Sequence, residues 1–378
     1  STDGEVASLR VKIAQVSAHR LNDMGRAFEE LESALEEQKQ HEGAILELET
    51  LLAKAPEAEH RSRAAAILEP VYLLRADFDK VMSAIEARLE FEQDPSERRE
   101  LLGRLAQLHE EQKEDYRAAL ETIAKLLHED LADSGTRAEL ERLAKVAGAE
   151  RRLAEIYAAE LEDYSGLDDT SFSLAKRAGE LFTSLDDLER GLTYYRQALS
   201  FEPESTELFE AVDDILRRTS RHEERVEHYR RGLDHRFEPA DRVAAYHTIA
   251  GLLEGELDRK DEAIEAYRAA METDENDDQA ATRLTELYAA AERHDELSEL
   301  LLRRAELAAS PDQAAEHRVT LSKLLAGAMG EPDRAIDQLE DVVRSSPGHA
   351  EAVRQLEAFL DQEAHKERVV EILRPLYE

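Results

Sequence analysis

Apolar residues recur along this chain with the spacing of one helix face. Ala119, Ile123 and Leu126 follow the i, i+4, i+7 pattern, and similar stripes recur in segment after segment. Between them lie partner stripes such as the one from Phe209 to Leu216. No segment shows the period-two alternation of a half-buried strand. The pattern predicts an all-α chain built from pairs of helices.

The apolar segments form an internal repeat. GLTYYRQAL, AIEAYRAAM and AIDQLEDVV begin at the evenly spaced positions Gly191, Ala263 and Ala335. A second set with the same spacing begins at Leu153, Arg225, Leu297 and Val369, and earlier starts follow at Ala119, Val81 and Ala44. The step from Gly191 to Arg225 is thus shorter than the step from Arg225 to Ala263. We call the two steps together, from Gly191 to Ala263, the double repeat. Such a fixed period predicts a solenoid of about ten helical hairpins with a double repeat of about 72 residues.

The two ends of the chain differ from the repeating part. One additional helix is predicted from the spacing of Val6, Leu9, Ile13 and Val16. At the other end Leu373, Leu376 and Tyr377 are still in helical phase, without the polar cap that a terminal repeat needs. We therefore divide the chain into an N-terminal helix, 1–21, and a repeat array, 22–378. We expect the array to continue or to pair with another molecule beyond its C-terminus.

Composition limits the possible partners. Eighty-six Asp and Glu against 49 Lys and Arg give a net charge of −37, which opposes sequence-independent binding to nucleic acid or to anionic membranes. The aromatic share is 5% and there is no Trp, which suits the thin shared core of a helical array. Cysteine is absent, and no run of eighteen apolar residues or signal-peptide core is present. We expect a cytoplasmic chain without membrane insertion.

One repeat carries a small-and-aromatic skeleton. Its members are Gly179, Phe182, Gly191, Tyr195, Ala198 and Pro203. This skeleton resembles the tetratricopeptide repeat. The resemblance implies that Gly179 and Gly191 let two helices cross closely, that Tyr195 packs between them, and that Pro203 ends the repeat. It also implies a right-handed superhelix whose inner face, lined by the first helix of each hairpin, binds peptides or proteins.

The resemblance also bears on the ligand. A chaperone-tail subclass of the family clamps a terminal carboxylate with Lys and Asn, but this chain has only Asn22 and Asn276, neither beside paired lysines in a first helix. A basic or mixed ligand therefore fits better. First-helix positions predicted to point away from the core, and hence into the groove, are Glu207, Glu210, Asp214, Glu286 and Arg354. The alternative is that they are simply the solvated side of amphipathic helices.

Catalytic patterns are missing from the sequence. There is no His-Glu-x-x-His, no Gly-x-Ser-x-Gly and no Gly-rich phosphate loop, so we expect no catalytic residue, metal or cofactor. His222 and His294 lie one double repeat apart, which indicates a shared position in the turn of equivalent hairpins. Four tyrosines occupy positions that hold Ile or Leu in other repeats, so they are predicted to pack in the core: Tyr157, Tyr195, Tyr229 and Tyr267.

These observations favour a non-catalytic scaffold or adaptor that binds a protein or peptide. Two alternatives stay open. The chain could be the recognition arm of a larger enzyme whose catalytic domain lies outside these residues. It could also be a structural element that self-assembles through its C-terminal end.

Overall fold

The computed structural model describes residues 2–164, 166, 168–235 and 238–377, and every regular element within them is helical. The chain divides into two compact units, Ser1–Phe201 and Glu202–Glu378. Unit 1 contains α1 (Thr2–Val16), a π-helical turn (Ser17–Leu21), α2 (Met24–Glu37), α3 (Glu42–Lys54), α4 (Ala58–Leu74), α5 (Phe78–Leu89), α6 (Pro95–Lys113), α7 (Tyr116–Glu129), α8 (Ser134–Ala147), α9 (Glu150–Asp163), α10 (Asp169–Ser184) and α11 (Leu188–Phe201). Unit 2 contains α12 (Thr206–Arg218), α13 (His222–Gly232), a 3₁₀ turn (Leu233–His235), α14 (Pro239–Gly255), α15 (Lys260–Thr273), α16 (Asp278–Ala290), α17 (His294–Leu307), α18 (Pro311–Ala326), α19 (Pro332–Ser345), α20 (Ala350–Ala358), a 3₁₀ turn (Phe359–Asp361) and α21 (Glu363–Tyr377).

From α2 onwards the helices pair as hairpins, with an even-numbered first helix and an odd-numbered second helix. The described residues hold ten such hairpins, five in each unit, so the predicted all-α repeat array of about ten hairpins is confirmed. In unit 2 the first helices α14 and α18 have 17 and 16 residues, whereas α12 and α16 have 13 each. About one extra turn in alternate first helices therefore accounts for the alternating repeat length.

The turns inside the hairpins confirm the predicted period. In eight of them one residue has the left-handed conformation that ends a helix. These residues are Ala76, Glu114, Gly148, Asp186, Ser220, Asp258, Glu292 and Gly330. Long and short steps alternate throughout this series, as they do in the sequence. After such a residue the chain bonds back to the helix it has left, as the Ala149 N–H does to the Ala144 carbonyl at 2.8 Å.

Helix starts follow the same period. Pro95, Pro239 and Pro311 begin α6, α14 and α18, where a missing N–H costs no hydrogen bond. The shorter first helices begin after side chains that accept a backbone N–H from two or three residues further on. These caps recur once per double repeat and are Asp133, Ser205, Asp277 and His349.

The stripes that predicted the helices form the core. Ala119, Ile123 and Leu126 are buried, as predicted. Of the four tyrosines predicted to pack in the core, Tyr157 and Tyr267 are buried, whereas Tyr195 and Tyr229 are only half-buried. Each buried Leu or Ile side chain contributes about 1.5–3 kcal/mol of transfer free energy. Because the apolar faces of neighbouring hairpins cover one another, the core extends along successive hairpins rather than being central, with one cluster from Ala7 to Leu105 and another from Val226 to Leu373.

The helix crossing between α10 and α11 depends on two glycines. A Cβ on Gly179 would lie 2.9 Å from the Tyr195 ring, and a Cβ on Gly191 would lie 2.5 Å from the Thr183 hydroxyl oxygen. These distances confirm the role that the family resemblance implies for Gly179 and Gly191. Pro203 lies in the connection after α11, also as expected.

The apolar face predicted for α1 is wrong. Of the residues that predicted it, Val6, Leu9 and Val16 are exposed and Ile13 is half-buried. The buried face instead carries Ala7, Val11 and Ala14. Small alanine side chains let α1 approach its neighbours closely, so the face with the larger apolar residues is left outside.

Candidate protein-binding grooves

All five residues predicted to line a groove lie on first helices of unit 2. Glu207, Glu210 and Asp214 are on α12, Glu286 is on α16 and Arg354 is on α20. Asp214 is half-buried and the other four are exposed. The structure brings Glu210 and Asp214 together in one cleft, whereas Glu286 and Arg354 belong to other hairpins.

The cleft lies between the first helices α12 and α14, and we call it the α12–α14 groove. It has a volume of about 450 Å³. Its lining residues are Phe209, Glu210, Asp213, Asp214, Arg217, Tyr229, Ala244, Ala245 and Thr248. Three carboxylates from α12 therefore face one arginine, with aromatic rings and small side chains forming the rest of the wall. Such a lining suits an aliphatic stem that ends in a positive charge.

The three carboxylates are not equivalent. Asp213 accepts two hydrogen bonds from Arg225, at 2.6 and 2.9 Å, and both side chains are mostly buried. Asp214 accepts one from Arg217 at 2.5 Å. Glu210 has no ion-pair partner within 4 Å in the described part of the chain. Glu210 is thus the carboxylate in the groove that is open to a cation from outside.

Asp213 was missed by the sequence analysis, yet it organises the groove. Hydrogen bonding to it raises the pKa of Arg225 above the ordinary value, so the guanidinium stays charged. Burial raises the pKa of Tyr229, which keeps its hydroxyl protonated and able to donate to Asp213 at 3.3 Å. The signal that could have found Asp213 is the repeat itself, because Glu141 occupies the same position one double repeat earlier.

Glu286 and Arg354 are tied into ion pairs of their own. Arg283 contacts Glu286 on its own helix and Glu254 on the preceding first helix, and the Tyr267 hydroxyl lies 3.4 Å from Glu254. Arg354 contacts Glu351, which also receives Lys323 at 2.8 Å. The structure therefore joins neither residue to the α12–α14 groove.

A second cleft lies in unit 1 between α8 and α10, and we call it the α8–α10 groove. Its volume is about 400 Å³. Its lining residues are Ser134, Arg137, Ala138, Glu141, Tyr157, Phe172, Ser173, Leu174, Lys176, Arg177 and Glu180. Arg177 grips Glu141 through two nitrogens, at 2.6 and 2.7 Å, and reaches Glu180 at 2.7 Å. This ion-pair network links two successive first helices.

The histidines that recur with the repeat have a structural position. His222 and His294 occupy equivalent positions, as their spacing predicts, but they are the first residues of α13 and α17 rather than residues of the turn itself. Within the described residues, no group of three His, Asp or Glu side chains could hold a metal ion. Over the same residues, no helix is both long enough and apolar enough to cross a membrane.

Comparison with known proteins places the repeat. Residues 243–277, which run through most of α14 and all of α15, match the model of the tetratricopeptide repeat family. No curated protein matches the sequence.

Several solved structures are similar at low sequence identity. YrrB, described as a TPR protein with an unusual peptide-binding site, is 18% identical with a TM-score of 0.28, over 54% of this chain and 99% of YrrB. The structure of Naa15/Naa10 bound to HypK is 13% identical with a TM-score of 0.31, over 97% of this chain and 68% of the matched chain. The TPR2AB domain of yeast Sti1 in complex with pHSP90 is 15% identical with a TM-score of 0.24, over 76% of this chain and 99% of the matched chain. The match at residues 243–277 identifies a tetratricopeptide repeat in that part of the chain, and eight of the ten hairpin turns follow the double repeat, which makes the chain an all-α array of helical repeats.

Proposed function

We propose that this chain is a non-catalytic scaffold or adaptor that binds a basic segment of a protein partner in the α12–α14 groove. The observation that carries the proposal is the meeting of three carboxylates, Glu210, Asp213 and Asp214, in one cleft beside apolar surface. Asp213 and Asp214 have internal arginine partners, whereas Glu210 has none among the residues that the structure describes. A lysine or arginine from a partner would complete the set.

The groove continues as a row of acidic side chains along α12. Glu207, Glu210 and Asp214 are spaced at i, i+3 and i+7, so they share one helix face. An exposed ion pair contributes about 0.2–1 kcal/mol, so a pair with Glu210, together with the attraction of the neighbouring carboxylates, gives a modest affinity. The remaining affinity would come from apolar contact with groove residues such as Ala244 and Thr248. Charge then selects the partner, and shape holds it.

The proposal is tested with a fluorescent peptide of alternating Lys and Leu whose two termini are blocked. Fluorescence anisotropy measures its affinity for the wild-type chain and for a variant with Glu207, Glu210 and Asp214 all changed to Lys. We expect the variant to bind at least about tenfold more weakly, because three attractions become repulsions. Affinity for the wild type should also fall as salt rises from about 0.05 M to about 0.5 M.

A matched control separates the groove from net charge. Glu272, Glu299 and Glu306 are exposed carboxylates on the second helices α15 and α17, and changing them to Lys alters the charge of unit 2 by the same amount. The control variant should keep most of the wild-type affinity. Equal loss in both variants would refute a binding site in the groove and leave only attraction to a negative surface.

The two alternatives raised by the sequence make different predictions. The recognition arm of a larger enzyme requires a catalytic domain in the same reading frame. Self-assembly through the C-terminal end requires a mass that rises with concentration in light scattering. We also propose the division into a helix, 1–21, and an array, 22–378. Deleting the helix should then leave an array that folds and retains the far-UV circular dichroism of its helices.

A further inference from the structure

The α8–α10 groove of unit 1 corresponds position by position to the α12–α14 groove of unit 2. A shift of one double repeat places Glu141 on Asp213 and Tyr157 on Tyr229, and both pairs line their grooves. In both grooves the tyrosine hydroxyl contacts the carboxylate, at 3.4 Å in unit 1 and 3.3 Å in unit 2. The framework of the two sites is therefore the same.

The charges around this framework are reversed. Ala138 stands where unit 2 has Glu210, and Lys176 stands where it has Thr248. Arg137 stands in place of Phe209. The lining of the α8–α10 groove thus gains two cations and loses one exposed carboxylate relative to its counterpart.

Arg137 is the group in this groove whose charge is not balanced. Glu141 and Glu180 are both bound by Arg177. Arg137 has no carboxylate within 4 Å in the described part of the chain, although that chain has a large excess of acidic residues. Its one hydrogen bond in these residues goes from Nη1 to the hydroxyl of Ser173 at 3.2 Å.

The position of Arg137 makes this imbalance significant. The residue is half-buried, and its Nε lies out of contact with solvent without a hydrogen-bond acceptor among the described residues. A guanidinium that is partly removed from water gains more from an anion than a fully hydrated one does. Half-buried Phe172, which meets Phe201 edge-on at 6.4 Å, supplies an apolar wall beside it.

We propose that the α8–α10 groove binds an acidic side chain of a protein partner, Asp or Glu, followed or preceded by an apolar residue. Arg137 is the anion-binding residue, Lys176 adds positive charge, and Phe172 contacts the apolar neighbour. This site goes beyond the basic-segment site of unit 2 and shares with it only the premise that first-helix grooves bind protein segments. The two equivalent grooves then select segments of opposite charge.

The probe for this site is a fluorescent peptide of alternating Glu and Phe with both termini blocked, used at about 0.15 M salt so that long-range repulsion is screened. Affinities are measured for the full chain by fluorescence anisotropy. We expect binding that Arg137→Gln weakens about tenfold, as the loss of one charge-assisted hydrogen bond implies. Arg117→Gln is the matched control, because Arg117 is an exposed arginine on α7 outside the groove. It should change the affinity by less than about twofold.

A second variant tests the charge reversal without removing any contact. Ala138 is exposed, so Ala138→Glu places the carboxylate of unit 2 into the groove of unit 1 without disturbing the core. This substitution should also lower the affinity for the acidic peptide about tenfold, because the added negative charge repels the ligand. Neither Arg137→Gln nor Ala138→Glu should lower the affinity of the chain for the Lys-Leu peptide. Success with one peptide and failure with the other therefore identifies which proposal is wrong.

Three results would overturn the inference. The first is absence of binding by the blocked Glu-Phe peptide. The second is equal affinity for wild type, Arg137→Gln and Ala138→Glu. The third is a peptide of alternating Gln and Phe that binds as tightly as the Glu-Phe peptide, since the groove would then recognise only the aromatic residue. A version with a free C-terminus distinguishes a terminal carboxylate from an acidic side chain. Binding that requires the free terminus would also contradict the proposal.

Discussion

Replacing Gly148 with alanine isolates the backbone cost of the turn between α8 and α9. Gly148 has a φ of +59°, and a Cβ there would meet no atom within 4 Å, so the substitution introduces no clash. An L-residue in this conformation costs about 1–2 kcal/mol. Alanine also restricts the unfolded chain, which offsets about 0.4–1 kcal/mol of that cost. We expect Gly148→Ala to lower the free energy of unfolding by about 0.5–1 kcal/mol.

The equivalent turn of another hairpin provides the reciprocal change. Ala76, between α4 and α5, is exposed and has a φ of +54°. Ala76→Gly should relieve the strain and raise the free energy of unfolding by about 0.5–1 kcal/mol. Ala66→Gly is the control, because Ala66 is an exposed residue inside α4. A glycine there should instead lower the free energy of unfolding by about 0.5–1 kcal/mol.

The assay is urea unfolding monitored by far-UV circular dichroism. Free energies of unfolding are compared only between variants whose free energy falls with urea concentration at the same slope. Equal slopes matter because a repeat array can unfold in more than one step, which would invalidate a single free energy. The reasoning is refuted if Gly148→Ala leaves the midpoint unchanged, or if Ala76→Gly destabilises the chain as Ala66→Gly does. Either result would mean that the left-handed conformation at these hairpin turns does not carry the expected backbone cost.

Three further predictions concern packing, titration and charge. Gly191→Val should lower the free energy of unfolding by about 1–3 kcal/mol, because the added side chain would overpack against Thr183. Gly251→Val is the control and should not lower it in this way, because a Cβ at Gly251 would meet no atom within 4 Å. Unchanged urea midpoints for both variants would contradict the close approach of the two helices at Gly191. The pKa of Asp133 is held below its ordinary value by its hydrogen bond to Thr136 and by its other donors, so its stabilising effect is present above the unfolded pKa and is lost as pH falls through the folded pKa. The free energy of unfolding should therefore fall less steeply with decreasing pH in Asp133→Asn than in the wild type. Parallel curves for the two proteins would show that Asp133 does not link stability to pH. Because the net charge is −37, the melting temperature should rise with added NaCl as self-repulsion is screened, and a fall would show that ion pairs outweigh repulsion.

The hairpins could be predicted from the sequence because their signal repeats. Apolar spacing and the alternation of short and long steps predict helix type, helix number and turn position. Left-handed turn residues could not be recognised in the same way, because only Gly148 and Gly330 are glycine and the other positions carry ordinary side chains. There the packing of the helices imposes the conformation.

The grooves were less accessible from the sequence, since their chemistry depends on contacts between hairpins. Glu207, Glu210 and Asp214 follow from helix periodicity alone. The pairing of Arg177 with Glu141 joins two different hairpins. That no carboxylate among the described residues lies within 4 Å of Arg137 emerges only once its neighbours are placed. The exposed face of α1 shows the opposite error. Side-chain size suggested one face, and close approach of small residues selected the other.

The central claim is that the chain recognises a protein partner through the acidic row on α12. The most direct test is affinity capture from a lysate with wild type, the Glu207, Glu210 and Asp214 triple variant and the second-helix control variant, at low and high salt, with quantitative mass spectrometry. The account predicts a defined protein retained by wild type and control at low salt, and lost at high salt and with the α12 variant. Retention of the same proteins by all three chains would contradict it.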